Sequence, residues 1–274
     1  MPTAQNELPA DLGSGDAYYT LISREGETAT YRSTLHAQGA WNVGEQHMAP
    51  ATGVLVHELQ RFQPREGMRL VRISLDILGF IPGGEFTVTT QVTRPGRTIE
   101  LLEARLEAGG RTSIVATAWR LLTSDTSEVA TSEDGAPLPA PEELAAWDMH
   151  SAWPGGYIES LTCRYDPESV QGHGRVWFSN PYDMVLGEET TALVKLLGMV
   201  DTANGIARRF DPREWLFPNV DLQIHLYRDP VGEVLGLDTV QNAGPDGVGL
   251  TSSVLHDRQG PFGRAEQILT LRRR

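Results

Sequence analysis

Between Met68 and Leu122 four segments follow one another with little chain between them: MRLVRISLDILGFI, EFTVTTQVTRPG, TIELLEARLEAGG and TSIVATAWRLL. Each is rich in β-branched or alternating apolar residues, and the breaks fall at Pro82-Gly83-Gly84, Pro95-Gly96 and Gly109-Gly110. Sheet strands tolerate Pro and Gly only at their ends and bulges, so this stretch predicts an antiparallel sheet built from hairpins. Upstream, residues 16–36 contain AYYTLISREGETATYRSTL, two β-rich runs about Gly26 that read as a further hairpin. The segment WNVGEQHMAPATGVLVHELQRF lies between them. Pro50 and Thr52 open a helix there, with Val54, Leu55, Leu59 and Phe62 near helical spacing. One helix of about three turns set against a long antiparallel sheet is the implied unit, and its class is α+β.

From residue 124 to residue 156 the pattern dissolves into an acidic, Pro-rich stretch that reads as an exposed linker. The same programme then recurs: YIESLTCRYD and GRVWFSN as strands, TTALVKLLGMVDTANGIARRF as a helix, and further strands to the end. The halves register on their last strands, Gly110 with TSIVATAWRL against Gly260 with FGRAEQILTL. The expected division is an N-terminal domain over 14–123, a linker over 124–156 and a C-terminal domain over 157–274.

A formal charge of −13 repels phosphate backbones, and Lys and Arg form no long basic run, which argues against nucleic acid as a main partner. The terminal Arg272, Arg273 and Arg274 read as a solubilising tail. One cysteine, Cys163, excludes an intramolecular disulfide or a multi-Cys metal cage and suits a reducing compartment; its strand context predicts a buried, inert thiol. The N-terminus shows no basic and apolar signal pattern, and no run approaches the ~18 apolar residues of a spanning helix, so a soluble, cytoplasmic protein without a membrane partner is expected. His spacing gives no recognisable metal site, no Gly-x-Ser-x-Gly elbow is present, and no Gly-rich phosphate loop is found.

A helix wrapped by a bent antiparallel sheet, occurring twice in one chain, resembles the double-hotdog acyl-CoA thioesterases of the acyl-CoA thioesterase II-like group. The phrases that carry the resemblance are VTRPGRTIELLEARLEAGGRTSIVATAWRLL in the first half and LVKLLGMVDTANGIARRF in the second. It implies a double hotdog with two antiparallel sheets, each wrapping a central helix, able to run together into one broad sheet. It also implies an acyl-CoA substrate, no cofactor, and association into a homodimer or higher oligomer. The group's catalytic set lies in the second hotdog. Its helical Asp falls on Asp201, its last-strand Gln on Gln267, and its small polar residue, more often Thr, on Asn219. The acyl chain is expected between the halves, where Val54, Leu55 and Leu197 serve either as its lining or as plain core.

Thioester hydrolysis needs a nucleophile, an activator for it, and donors for the charge that develops on the carbonyl oxygen. Asp201 can orient a water and take its proton while Gln267 and Asn219 fix the water's other directions; attack by Asp201 itself through an anhydride is the chemical alternative. Backbone N–H groups at a central helix would hold the oxyanion. Two rivals stay open. One is a hotdog hydratase or dehydratase pairing a His with an acid, for which His36 and His47 precede the first helix, although the spacing motifs of those enzymes are absent and a surface or core-rim role suits both. The other is a double hotdog that binds acyl groups without turnover.

Overall fold

The structure, a computed structural model, describes residues 7–274. In chain order the elements are β1 (Ala17–Glu25), β2 (Thr28–Ser33), α1 (Met48–Arg61), β3 (Met68–Ile77), β4 (Glu85–Arg94), β5 (Ile99–Ala108) and β6 (Arg111–Leu122). Next come β7 (Ala145–Ala146), which lies within the stretch read as linker, α2 (Gly156–Glu159), β8 (Thr162–Tyr165), β9 (His173–Ser179), β10 (Asp183–Val185), α3 (Ala192–Leu197), α4 (Ala203–Ile206) and β11 (Trp215–Leu216). The chain closes with β12 (Asp221–Leu226), β13 (Leu235–Ala243), β14 (Val248–Asp257), β15 (Gly260–Thr270) and β16 (Arg272–Arg273).

The expected pair of sheets is one sheet of 14 strands, ordered β10-β1-β2-β4-β5-β6-β3-β12-β15-β14-β13-β9-β8-β7, beside a separate two-stranded pairing of β11 with β16. The halves join where β3 and β12 run antiparallel, Ile73 opposite Ile224 and Leu75 opposite Leu222. All four side chains are buried, so the seam has the character of core. Outward from it, β6-β5-β4-β2 on one side mirrors β15-β14-β13-β9 on the other, which is the internal repeat in three dimensions. Gly110 and Gly260 do precede corresponding strands. One pairing departs from the antiparallel expectation: β10, from the second half, adds in parallel to β1 of the first.

The two central helices differ. α1 is continuous over 14 residues and buried at every position from Met48 to Leu59. It begins two residues before Pro50, capped by the His47 ring, whose Nδ1 accepts the Ala49 N–H at 3.0 Å; Pro50 is tolerated because first-turn N–H groups have no partner inside the helix. The helix expected over residues 190–210 is instead broken. Thr191 caps α3, which ends at Gly198, and a 3-10 turn over Val200–Thr202 leads into the four-residue α4. Crowding accompanies the break: a Cβ on Gly53 of α1 would lie 3.2 Å from the Gly198 Cα and closer still to the Met184 side chain. The helices meet backbone to backbone at these glycines. Val54, Leu55 and Leu197 are wholly buried members of one core shared by both halves, which favours the plain-core alternative for them.

The linker is not exposed throughout. Residues 124–133 are, but Leu138, Leu144, Met149 and Trp153 are buried, and Trp153 packs edge-on against Trp41 and Phe217. Its apolar residues outweigh its Pro-rich composition because the sheet offers them surface to cover: Leu138 and Leu144 pack on Trp177 of β9, well away from the seam. The terminal arginines are likewise folded back: Arg272 and Arg273 pair with β11, and Arg273 and Arg274 lie over the Trp215 and Trp41 rings. A guanidinium gains by stacking on an aromatic face while keeping water on the other side. Cys163 is buried and free, with its thiol pushed up to about 12 by burial, as an inert thiol should be. No described helix is long and apolar enough to cross a membrane.

Candidate functional site

Asp201 sits in the 3-10 turn that follows the break at Gly198. A regular helix would have carried on past this point. The turn instead holds the carboxylate inward, 5 % exposed, among Leu196, Leu197, Val200 and Ala203 of the core. Such a group must find donors or give up its charge. It finds two, both side-chain amides. Gln267 on β15 donates from Nε2 at 2.9 Å, and Asn219, just before β12, donates from Nδ2 at 2.8 Å. The three residues named from the sequence therefore meet, although 18 and 66 residues separate Asp201 from its partners.

Both partners are held by β15. Gln267 is 1 % exposed and lies within the β14–β15 ladder opposite Thr251. Asn219 bridges to Leu269 of β15 and also donates to the Asp221 carbonyl at 3.1 Å, so it is more than a turn residue after Pro218. Both amides address the same oxygen, Oδ1. No protein donor reaches Oδ2 among the described residues, and the Gln267 Oε1 is itself buried without a partner. Two acceptors at the site, the Asp201 Oδ2 and the Gln267 Oε1, thus have no protein donor among the described residues.

Burial pushes the Asp201 carboxyl up to about 7, with the Asn219 and Gln267 donors pulling against it. A carboxyl shifted there has its pKa close to neutral pH, the range that suits a group exchanging protons at that pH.

His47 completes the site. Its Nδ1 lies 3.8 Å from the Asp201 Oδ2, reaching across from the first half to the second. Its ring packs on Tyr157, centroids 4.5 Å apart, and the Tyr157 hydroxyl donates to the Gly198 carbonyl at 2.9 Å. Burial pushes the imidazole down to about 3, so it is neutral. The ring walls a narrow crevice shared with Trp41, Met149, Trp153, Thr202 and Gly205, with about 20 Å³ of free space, enough for a single water. His47 thus has a core-rim place, beside Asp201. His36, by contrast, stacks on Tyr182 and makes no contact with Asp201. Past Trp153, the linker's Ala152 borders an open cleft lined by Arg208, Arg209, Phe210 and Arg213.

No local pattern marks the arginine cleft or the place of Tyr157 in the sequence. Only His47 carried a local signal, since it stands one residue before the first turn of an apolar helix, where a cap is needed.

Comparison with known proteins agrees with this architecture. The family model for the acyl-CoA thioesterase N-terminal domain matches residues 37–121, and that for the acyl-CoA thioesterase C-terminal domain matches residues 141–271. Among solved structures, a hot dog fold protein of unknown function from Alicyclobacillus acidocaldarius superposes with a TM-score of 0.76 at 12 % identity, covering 94 % of this chain and 97 % of the other. A putative thioesterase from Novosphingobium aromaticivorans gives 0.72 at 15 % identity, with 92 % and 98 % covered. An acyl-CoA thioesterase II from Mycobacterium marinum gives 0.69 at 14 % identity, with 93 % and 96 % covered. At these identities the superpositions establish the hotdog fold. A search of curated protein sequences finds no significant match. The two domain matches, in the expected order and on the two halves that the sheet repeats, make this chain a member of the acyl-CoA thioesterase family, with acyl-CoA thioester hydrolysis as its function.

Proposed function

We propose that Asp201 is the general base of this hydrolysis, activating a water that attacks the acyl-CoA thioester. The observation that carries this reading is the one-sided satisfaction of the carboxylate: two amides hold Oδ1 and leave Oδ2 open. A water on Oδ2 gives it one proton, and the unpartnered Gln267 Oε1 accepts the other, which aims the water's lone pair outward. As the water oxygen bonds to the carbonyl carbon, its proton passes to Oδ2 and the carbonyl π electrons move onto oxygen. Collapse of that intermediate breaks the C–S bond, and the proton on Asp201 returns to the departing sulfur. The products are the free acid and CoA.

The route requires a carboxylate, and thiol release from a panel of acyl-CoAs tests it. Activity should rise with pH to a plateau with an apparent pKa near 7, and Asp201→Asn should lose it by about 10²–10⁴-fold. Retained activity in the variant would remove Asp201 from the mechanism. Oxygen-18 recovered in Asp201 after a single turnover would replace water attack by the anhydride route.

The cleft of Arg208, Arg209 and Arg213 suits the CoA phosphates, because it gathers cations on a chain of net charge −13 beside the aromatic wall of the crevice. Arg209 is already tied to the Gln241 carbonyl and Arg213 pairs with Asp211, which leaves Arg208 as the freest of the three. Arg208→Glu should raise KM several-fold for acyl-CoA while sparing a short acyl-pantetheine substrate. An unchanged KM would place the phosphates elsewhere. The same reading includes a cytoplasmic setting, suited to one buried free thiol, and association into a homodimer or higher oligomer, which light scattering tests.

A further inference from the structure

We infer that His47 is a catalytic residue of this site, its neutral imidazole donating the Nε2–H to the thioester carbonyl oxygen as negative charge develops there. The inference rests on the thioesterase reading above and assigns the donor that reading leaves open.

The tautomer comes from geometry. The Ala49 N–H is donated to Nδ1 at 3.0 Å, so Nδ1 is an acceptor and the ring's one proton sits on Nε2. No protein acceptor takes that proton among the described residues, and the ring forms part of the crevice wall. Capping alone does not call for an imidazole, since Ser, Thr, Asp and Asn cap better and cost less order. What a ring adds is reach. Tyr157 packs against it and is itself anchored to the Gly198 carbonyl, so the donor is fixed relative to the turn that carries Asp201.

The 3.8 Å between Nδ1 and the Asp201 Oδ2 places the imidazole beside the base without a direct bond, since both atoms are acceptors when the carboxylate is ionised. A carbonyl presented at the mouth of the crevice would then have the activated water on its Asp201 side and the Nε2–H on the other. Neutrality serves this role: an imidazole that keeps its proton throughout stabilises an oxyanion with no proton to recover at each turnover. The same tautomer argues against a hydratase or dehydratase. Taking a proton from carbon at Nε2 requires that nitrogen bare and Nδ1 protonated, which the Ala49 N–H opposes.

His47→Asn tests the assignment, because Asn keeps an acceptor for the Ala49 N–H and withdraws the distal donor. The expected result is kcat lower by about 10²–10³-fold, the size of losing one such donor, with KM little changed, the apparent pKa near 7 retained and thermal stability preserved. The carbonyl stretch of a bound ketone analogue, with methylene in place of sulfur, should lie lower in the wild type than in the variant; a purely structural cap would leave it unmoved. Wild-type thiol release in a folded His47→Asn protein, or an unshifted carbonyl stretch, overturns the inference alone. Absence of thiol release in the wild type across the acyl-CoA panel overturns the thioesterase reading and the inference with it, and enoyl-CoA hydration without thiol release does the same.

Discussion

The two halves share an order of strands and differ in their central helices. In the first, α1 runs unbroken for 14 residues, and the core-facing side chains of β6 include Ala116 and Ala118. In the second, the helix stops at Gly198, a turn follows, and the corresponding last strand, β15, turns Gln267 inward. Continuity makes the first half a support. The unbroken helix also buries an acid, Glu58, but ties it to Arg24 and Tyr31, whereas the interrupted one sets Asp201 where only side-chain amides donate to it. The buried charges repeat the contrast. Arg120 donates from Nε to Glu100 at 2.8 Å and from Nη1 to the Phe62 carbonyl at 2.9 Å, a satisfied pair that ties β5, β6 and the end of α1 together. Asp201 has amides instead of a cation, and so stays able to take and return a proton.

If that division of labour holds, the largest effect should come from Asp201→Asn, and it should split activity from stability. The folded-state pKa of Asp201 lies above the carboxyl's unfolded value, so its favourable contribution is full at low pH and is lost as pH rises through about 7. Asn removes the buried charge and keeps an acceptor for both amides. The variant should therefore unfold at higher temperature than the wild type at pH 8, by an amount on the order of 2–4 kcal/mol, with little difference at pH 4. Calorimetry at the two values decides; a destabilised variant at pH 8 would mean that the carboxylate is better solvated than its burial implies.

A comparable stability change from the other half should leave the chemistry untouched. Arg120→Ala leaves the buried Glu100 carboxylate with only the longer 3.5 Å contact to Arg65 and should cost about 3–5 kcal/mol in urea unfolding. Below the transition, the pH midpoint of turnover should be that of the wild type, and a shifted midpoint would break the comparison.

Gln267→Ala is the intermediate case. It takes one donor from Oδ1 and the acceptor from the water, so turnover should fall about 10–100-fold and the pH midpoint move upward, in the direction that losing a hydrogen bond to the charged form dictates. A downward movement in the pH–rate profile would contradict the hydrogen-bond assignment. The smallest effect is expected from Asn219→Thr. A hydroxyl in that place can still donate to Oδ1, so kcat/KM should stay within about 10-fold of wild type, whereas Asn219→Ala should lose more.

Strand and helix content was legible because period and punctuation are local: alternation with Pro and Gly at the breaks marked β3 to β6, and the recurrence of the pattern marked the repeat. Asp201 and Gln267 were legible from the resemblance, with apolar neighbours in sequence adding weight to Asp201. Asn219 was harder to read, since an Asn after a Pro is ordinary in a turn, and only its 2.8 Å bond to Asp201 distinguishes it. His47 offered a helix-start signal but no sign of what faces it, because its neighbours come from residues 157 and 201. The acidic, Pro-rich stretch suggested exposure by composition, yet composition does not say whether an apolar surface nearby will take up Leu138, Leu144 and Trp153.

By itself the sequence determined the alternation of strands, the first central helix, the doubling of the unit and the residues able to do acid–base work, since each follows from short-range periodicity or side-chain chemistry. Tertiary structure alone decided that the sheets merge at β3 and β12, that close packing of Gly53 on Gly198 accompanies the end of the second helix, and that His47 of one half faces Asp201 of the other. Those outcomes depend on surfaces meeting across more than a hundred residues, and what such contacts cost or gain is set by the space between packed elements, which no local pattern encodes.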